Sequence, residues 1–317
     1  MNTNKYNIVC FGEVLWDILP SGPAAGGAPV NVAYHLKKLG QHPAIISRLG
    51  ADPQGLKLQK AMEKGHISTE FVQIDPSYPT GIVHATPDKD HNMTYDIVQP
   101  VAWDFIELEK SPERVRKIQT LIHEAEYFIF GSLAARSDIS KATLLSLLEL
   151  ARKKVLDINL RAPYYNKALI LTLLGKADIL KLNEEELFII TGWLSDKKIT
   201  TIEDNIHLLH TTFNTPTIIV TCGAKGAILH HNGRFYSHPG IKVTVEDTVG
   251  SGDAFLAAFL AKTIAGAPPD AALAYGCAVG AMVASKPGAW AQYQLEEVEN
   301  IAGYQGTKDI KAIEDRI

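Results

Sequence analysis

The chain has little cysteine: Cys10, Cys222 and Cys277 are its only thiols in 317 residues, and no two are spaced as CxxC. That scatter excludes a disulfide framework and a thiolate zinc site, and a core of this length needs no covalent staple. The thiols read as small buried residues of a reducing compartment, so a cytoplasmic location is expected. Basic blocks are missing too. With a formal net charge of −4 and no run of lysine and arginine, the chain lacks the electrostatic footprint of a nucleic-acid binder. The longest apolar stretch, residues 271–283, is rich in glycine and alanine and too short to cross a bilayer. The opening Met-Asn-Thr-Asn-Lys runs directly into an apolar segment, unlike a secretory signal. Neither nucleic acid nor membrane is therefore an expected partner. Repeats and low-complexity tracts are absent.

What is present suits a folded globular protein, with 46% hydrophobic and 21% charged residues. Apolar runs at 8–11, 44–49, 127–130, 155–158, 179–182 and 217–221 read as buried strands. Helical spacing falls between them, at 29–39, 53–64, 112–124, 138–151, 166–175 and 200–212. Short apolar strands alternating with helices predict an α/β fold, a mainly parallel central sheet with helices on both faces. Residues 80–86 and 92–98 instead alternate and are rich in β-branched and aromatic residues, with a polar turn at 87–91. They predict a hairpin with one exposed face. Residues 14–19 form another extended piece, ending at the turn Pro20-Ser21-Gly22. The last third predicts a hairpin at 227–231 and 234–237, an extended piece at 241–245, and helices at 252–264 and 269–285. No linker divides the chain, so one domain over 1–317 with a small β excursion is expected.

The strongest chemical signal is Asp247-Thr248-Val249-Gly250-Ser251-Gly252-Asp253-Ala254-Phe255. Two glycines opening a helix let backbone N–H groups converge, and the helix dipole adds roughly half a positive charge there. The spot favours an anion. A carboxylate at Asp253 would repel that anion unless it does chemical work, and the useful work is accepting a proton from an attacking hydroxyl. The plain alternative is that Ser251 or Asp253 only caps the helix. Other phosphate motifs fail. Gly50 and Gly55 have P-loop spacing, but Leu56 stands where lysine is required, and Phe255 replaces the third glycine of a dinucleotide fingerprint.

Upstream, Gly26-Gly27-Ala28-Pro29-Val30-Asn31 opens a helix, and Asp17 interrupts the apolar run Val14-Leu15-Trp16-Asp17-Ile18-Leu19. A carboxylate and a carboxamide can hold adjacent hydroxyls, as a sugar presents them. Alone, Asp17 would be a turn residue and Asn31 a solvated helix position. Two polar clusters end strands: Asp157-Ile158-Asn159-Leu160-Arg161 and Lys181-Leu182-Asn183-Glu184-Glu185-Glu186. Ligands bind beyond the carboxyl ends of strands in open α/β sheets. Arg161 can neutralise phosphate, and Asn183 with Glu186 can hold magnesium through water. Glu184 and Glu185 equally suit a helix start. The turn Thr221-Cys222-Gly223-Ala224-Lys225-Gly226 is either a plain hairpin or the edge of a nucleotide pocket. His207 and His210 read as a helix face and His230-His231 as strand surface.

In their order, these segments resemble the ribokinase-like (phosphofructokinase B-type) family of carbohydrate kinases over essentially the whole chain. Gly26 to Ala33 looks like the family's N-terminal sugar signature, and Asp247 to Phe255 like its C-terminal signature. Asn183 to Glu186 matches its NxxE motif, and Asp157-Asn159-Arg161 its strand end. Gly12 to Asp17, Phe130 to Leu133 and Val101 to Asp104 are most similar to the bacterial fructokinase branch. The resemblance implies ATP as phosphoryl donor and Asp253 as the base. The amides of Gly250, Ser251 and Gly252 would form the anion hole. Asp17, Gly27 and Asn31 would hold the sugar, with Arg161 near substrate and phosphates. Asn183 and Glu186 would position Mg2+. Thr221, Gly223, Gly226 and the stretch from Cys277 to Ala289 would enclose ATP. Residues 13–20 and 69–103 would be a lid, whose strand edges suit a homodimer.

Two positions depart from the family pattern: Ser251 replaces alanine, and Cys277 replaces an asparagine beside the adenine. Many relatives also bind a monovalent cation such as K+ through backbone carbonyls, a site with almost no sequence signature. Fructose is the expected acceptor. Alternatives are 2-keto-3-deoxygluconate, ribose or a nucleoside on the same fold, and, from another class, a non-catalytic sugar-binding regulator.

Overall fold

The computed structural model describes residues 6–19, 22–87, 93–108, 110–197, 199–305 and 312–313. Pro20, Ser21, the opening residues 1–5 and residues 88–91 of the expected polar turn lie outside them. The chain divides into two compact units, Met1–Arg152 and Lys153–Ile317.

The first unit contains β1 (Ile8–Phe11), β2 (Leu15–Leu19), β3 (Gly22–Gly26), α1 (Ala28–Lys38), β4 (Pro43–Gly50) and α2 (Pro53–Lys64). It continues with β5 (Val72–Asp75), β6 (Gly81–Pro87), β7 (Met93–Ile97), α3 (Pro112–Glu124), β8 (Tyr127–Gly131) and α4 (Asp138–Leu148). Strands β8, β1, β4 and β5 lie side by side in that order, all parallel. Every residue of β1 and β8 is buried. Successive strand side chains point to opposite faces, so this sheet is covered on both. Local signals place the helices. Asp52 caps α2 by accepting the Gly55 N–H at 2.7 Å, Pro53 opens the helix and Gly65 ends it.

A separate four-stranded sheet has the order β3-β2-β6-β7. The hairpin expected from the alternating segments is its β6–β7 pair. β3 has no sequence signal, because Gly-Pro-Ala-Ala-Gly has low strand propensity; its pairing with β2 makes it a strand. β5 falls inside the stretch expected to form the excursion, yet it extends the parallel sheet beside β4. Its Asp75 is buried and pairs with Arg48 Nε at 2.7 Å.

The second unit contains β9 (Lys153–Asp157), α5 (Lys167–Leu174), β10 (Ile179–Asn183), α6 (Glu184–Gly192), α7 (Ile202–Phe213) and β11 (Thr217–Thr221). After these come β12 (Ala227–His231), β13 (Arg234–His238), α8 (Ser251–Ile264), α9 (Pro269–Ala284), α10 (Leu295–Gln305) and β14 (Ala312–Ile313). β9, β10 and β11 are parallel; β12, β13 and β14 add to them antiparallel. Two expectations change here. Residues 241–245 are irregular rather than a strand, and Val245 is 59% exposed. His230 is not strand surface: it is 2% exposed, packed 4.6 Å from the His210 ring and 5.0 Å from Phe235. Among the described residues, no helix is long and apolar enough to cross a membrane.

Candidate active site

In the first unit, β2, β3 and the start of α1 gather the residues read as sugar ligands. Asp17 lies mid-strand, not in a turn, and pairs in register with Ala24. Gly26 is diagonal to it on the same face. A Cβ built at Gly26 would overlap Asp17 Oδ2, so the missing side chain leaves the carboxylate its room. Gly27 caps α1 with φ 109°, and a Cβ there would strike the Glu13 carbonyl oxygen. Its own carbonyl accepts the Val30 and Asn31 N–H groups at 3.1 and 2.9 Å. Asn31 is 4% exposed, which removes the solvated-helix alternative. A buried carboxamide one turn into a helix is held for its hydrogen bonds.

The second unit assembles the polar strand ends. Parallel pairing puts Lys181 directly opposite Asp157. Lys181 Nζ lies 2.9 Å from both oxygens of the Asp157 carboxylate. Burial opposes the ammonium charge, but Asp157, then Asp253 and Glu186, hold its pKa above the ordinary lysine value. Asn183 caps α6, accepting the Glu186 N–H at 2.8 Å. Glu186 returns the bond from the Asn183 N–H to Oε2 at 2.8 Å, and accepts the Leu160 N–H on Oε1 at 2.7 Å. Burial raises its carboxyl pKa, partly countered by the Asn183 N–H and by Lys181. Arg161 is exposed, its Nη1 donating to the Leu160 carbonyl at 3.3 Å.

The turn before α8 is braced by Asp247. Its Oδ1 accepts the Val249 N–H at 2.9 Å and its Oδ2 the Gly288 N–H at 3.1 Å. Gly250 has φ 74°, and a Cβ there would come within 2.6 Å of Ala289 Cβ. The Ser251 N–H already donates to the Thr248 carbonyl at 3.2 Å. The three amides expected to face an anion thus include one already bonded, while the Gly252 N–H lies in the first helical turn, where a backbone donor has no intrahelical acceptor. Asp253 is 9% exposed. A Cβ at Gly252 would lie 3.0 Å from Lys181 Nζ, so the lysine head rests against this turn.

Beside the turn is a cavity of about 500 Å³ lined by Thr221, Gly223, Gly226, Ser251, Gly252 and Cys277, with Val243, Phe255 and Ala281 as apolar wall. The glycine turn is therefore both a hairpin, joining β11 and β12, and a cavity edge. Asn183 and Glu186 lie outside that lining. Burial pushes the Cys277 thiol up to about 12 and Cys222 to about 11, so neither is a thiolate nucleophile at neutral pH. Among the described residues, no group of three or more His, Cys, Asp or Glu is arranged to hold a metal directly. Glu186 still has a lone pair on each oxygen beyond its two backbone bonds, and hard oxygen donors suit magnesium. Lys181, Asp247 and residues 240–245 stand in or beside the sequence motifs, but the linear chain gives them no role in the site. The one signal for Lys181 was a lysine inside the apolar run Ile179-Leu180-Lys181-Leu182.

A family model described as "pfkB family carbohydrate kinase" matches residues 22–294. A fructokinase of Klebsiella pneumoniae is 29% identical over 301 residues, covering 88% of this chain and 93% of the relative. A Xylella fastidiosa fructokinase solved with bound ATP superposes with a TM-score of 0.81 at 22% identity, over 95% of this chain and 99% of that one. A Vibrio cholerae fructokinase double mutant, solved with fructose, ADP and potassium, gives 0.79 at 23% identity, over 95% of this chain and all (100%) of that one. The fold is the ribokinase-like α/β fold, and the chain belongs to the pfkB family of carbohydrate kinases.

Proposed function

We propose that the chain is a fructokinase, transferring the terminal phosphoryl group of ATP to the 6-hydroxyl of fructose. The observation that carries this is Asp253: a buried carboxylate one residue beyond the two glycine-turn residues, Ser251 and Gly252, that line the cavity. Such a group is wasted on anion binding and suited to proton acceptance. Fructose as the acceptor is supported by the Klebsiella relative.

Asp253 takes the proton of the sugar hydroxyl as its oxygen bonds to phosphorus; the bond from phosphorus to the bridging oxygen breaks and ADP leaves. The turn from Gly250 to Gly252, at the positive end of α8, faces the charge that spreads over the transferred group. Asp17, Gly27 and Asn31 hold the sugar hydroxyls, and exposed Arg161 meets substrate or phosphate charge. The nucleotide occupies the cavity edged by Thr221, Gly223, Gly226 and Cys277. Magnesium, when bound, neutralises and orients the phosphates; Asn183 and Glu186 would hold it through water. The small sheet carrying Asp17 acts as a lid, excluding the water that competes with sugar as acceptor. Its end strands β3 and β7 are edges that a second copy can pair, which supports a homodimer. Free, buried Cys10 and Cys277 fit a reducing, cytoplasmic setting. Binding of a monovalent cation such as potassium is supported by the potassium-bound Vibrio structure.

The test is ADP release with magnesium-ATP across fructose, ribose, 2-keto-3-deoxygluconate, tagatose and adenosine, with potassium present or replaced by tetramethylammonium. Fructose-dependent turnover is the expected result. Turnover with another acceptor overturns the sugar but not the chemistry, and silence across the panel with sugar binding intact overturns the enzyme reading.

A further inference from the structure

Lys181 is the residue whose placement is least explained by folding alone. It sits in the middle of an apolar strand and is 8% exposed. A buried ammonium is costly, and replacing a buried ion pair by apolar groups of similar volume is often neutral or stabilising. The Lys181–Asp157 pair is therefore weak evidence of a stabilising role. Asp253 and Glu186 attract the ammonium as well as Asp157, so its charge is shared beyond the pair. Its head also rests against the catalytic turn, 3.0 Å from where a side chain on Gly252 would begin.

We propose that Lys181 is a positioning residue for phosphoryl transfer: anchored by Asp157, its ammonium holds the Gly252 backbone and the Asp253 carboxylate in reacting geometry. This rests on Asp253 being the base. Two bonds of 2.9 Å to Asp157 fix where the ammonium is, and the strand register fixes where Asp157 is. The third donor of the Lys181 head and its field remain for the turn. Fixed charge of this kind costs no reorganisation when the transferred group arrives.

The proposal is tested with Asp157→Asn/Lys181→Met, which removes both charges of the buried pair together, and with Lys181→Ala. The double variant is expected to melt close to the parent and to lose about 10²-fold in kcat, the scale on which small misplacements act. KM for ATP and for sugar is expected to stay within about threefold, the signature of an interaction needed only in the transition state. In Lys181→Ala, propylammonium is expected to restore turnover saturably, and n-propanol of the same size to do nothing. A double variant with parental kcat overturns the proposal. So does a Lys181→Ala enzyme on which amine and alcohol act alike, and this second measurement stands even if the double variant fails to fold. Asp253→Asn is run alongside: parental turnover there overturns the base, whatever Lys181 does.

Discussion

Asp17 and Gly26 share one face of the β2–β3 ladder, and the Asp17 carboxylate occupies the space that any side chain at position 26 would need. The glycine pair before α1 thus does two jobs: Gly26 admits a carboxylate, and Gly27 turns the chain with φ 109°. Gly26→Ala is expected to displace Asp17 without touching any nucleotide contact. Losing a hydrogen bond to a charged group costs about 1.5–3 kcal/mol, or roughly 10- to 100-fold in affinity. KM for the sugar should rise by that factor while KM for ATP stays put, and steady-state kinetics with each substrate varied in turn checks it. Asn31→Ala should show the same asymmetry.

Gly250 is held by geometry rather than by ligand. With φ 74° and Ala289 Cβ 2.6 Å from a built Cβ, Gly250→Ala meets backbone strain and a clash together. The strain alone costs about 1–2 kcal/mol. Urea unfolding should show at least that loss. Gly192→Ala is the control: a Cβ there has no neighbour within 4 Å, and no loss is expected.

Gly252 differs, because its neighbour is the flexible end of a lysine at 3.0 Å. Gly252→Val should abolish measurable phosphoryl transfer, since it moves Lys181 and blocks the amide donors, and should lower the melting temperature because the buried Lys181–Asp157 pair is disturbed. Kinase assay and thermal melt on one preparation separate the two effects. Unaltered ATP use would remove Gly252 from the anion site.

Much of this was legible in the linear chain where the signal is local. The parallel strands of each unit, the cap and proline of α2, and the glycine turn before α8 all declare themselves within a few residues. Long-range facts did not. Nothing near Lys181 says that β9 will be its neighbour or that Asp157 will lie opposite. β5 carries too short an apolar pattern to show which sheet it joins, and β3 is a strand only because β2 lies beside it. The stretch at 241–245 has strand-like composition but spends its side chains on a cavity wall. Asn183 and Glu186 were read as magnesium holders, and their capping-box bonds show that the same residues also start a helix.

Buried His230 gives a pH dependence with a definite sign. Burial first, then the neighbouring His210, His207 and His231, lower the His230 pKa from 6.5 to about 4. In the unfolded chain it takes up a proton near 6.5, whereas the folded protein resists until about 4. Its contribution is thus fully present above pH 6.5 and is lost as pH falls toward 4. Denaturant midpoints measured across that window should decline. His230→Phe should flatten the decline in that range, since Phe235 and His210 already offer ring contacts.

The most direct measurement is Asp253→Asn, assayed for turnover and, by calorimetry, for sugar binding. The substitution keeps shape and removes the proton acceptor. Turnover reduced by at least about 10², with sugar affinity close to that of the parent, is the predicted result. Turnover within a few-fold of the parent would contradict the account, because no base would then be needed at the head of α8.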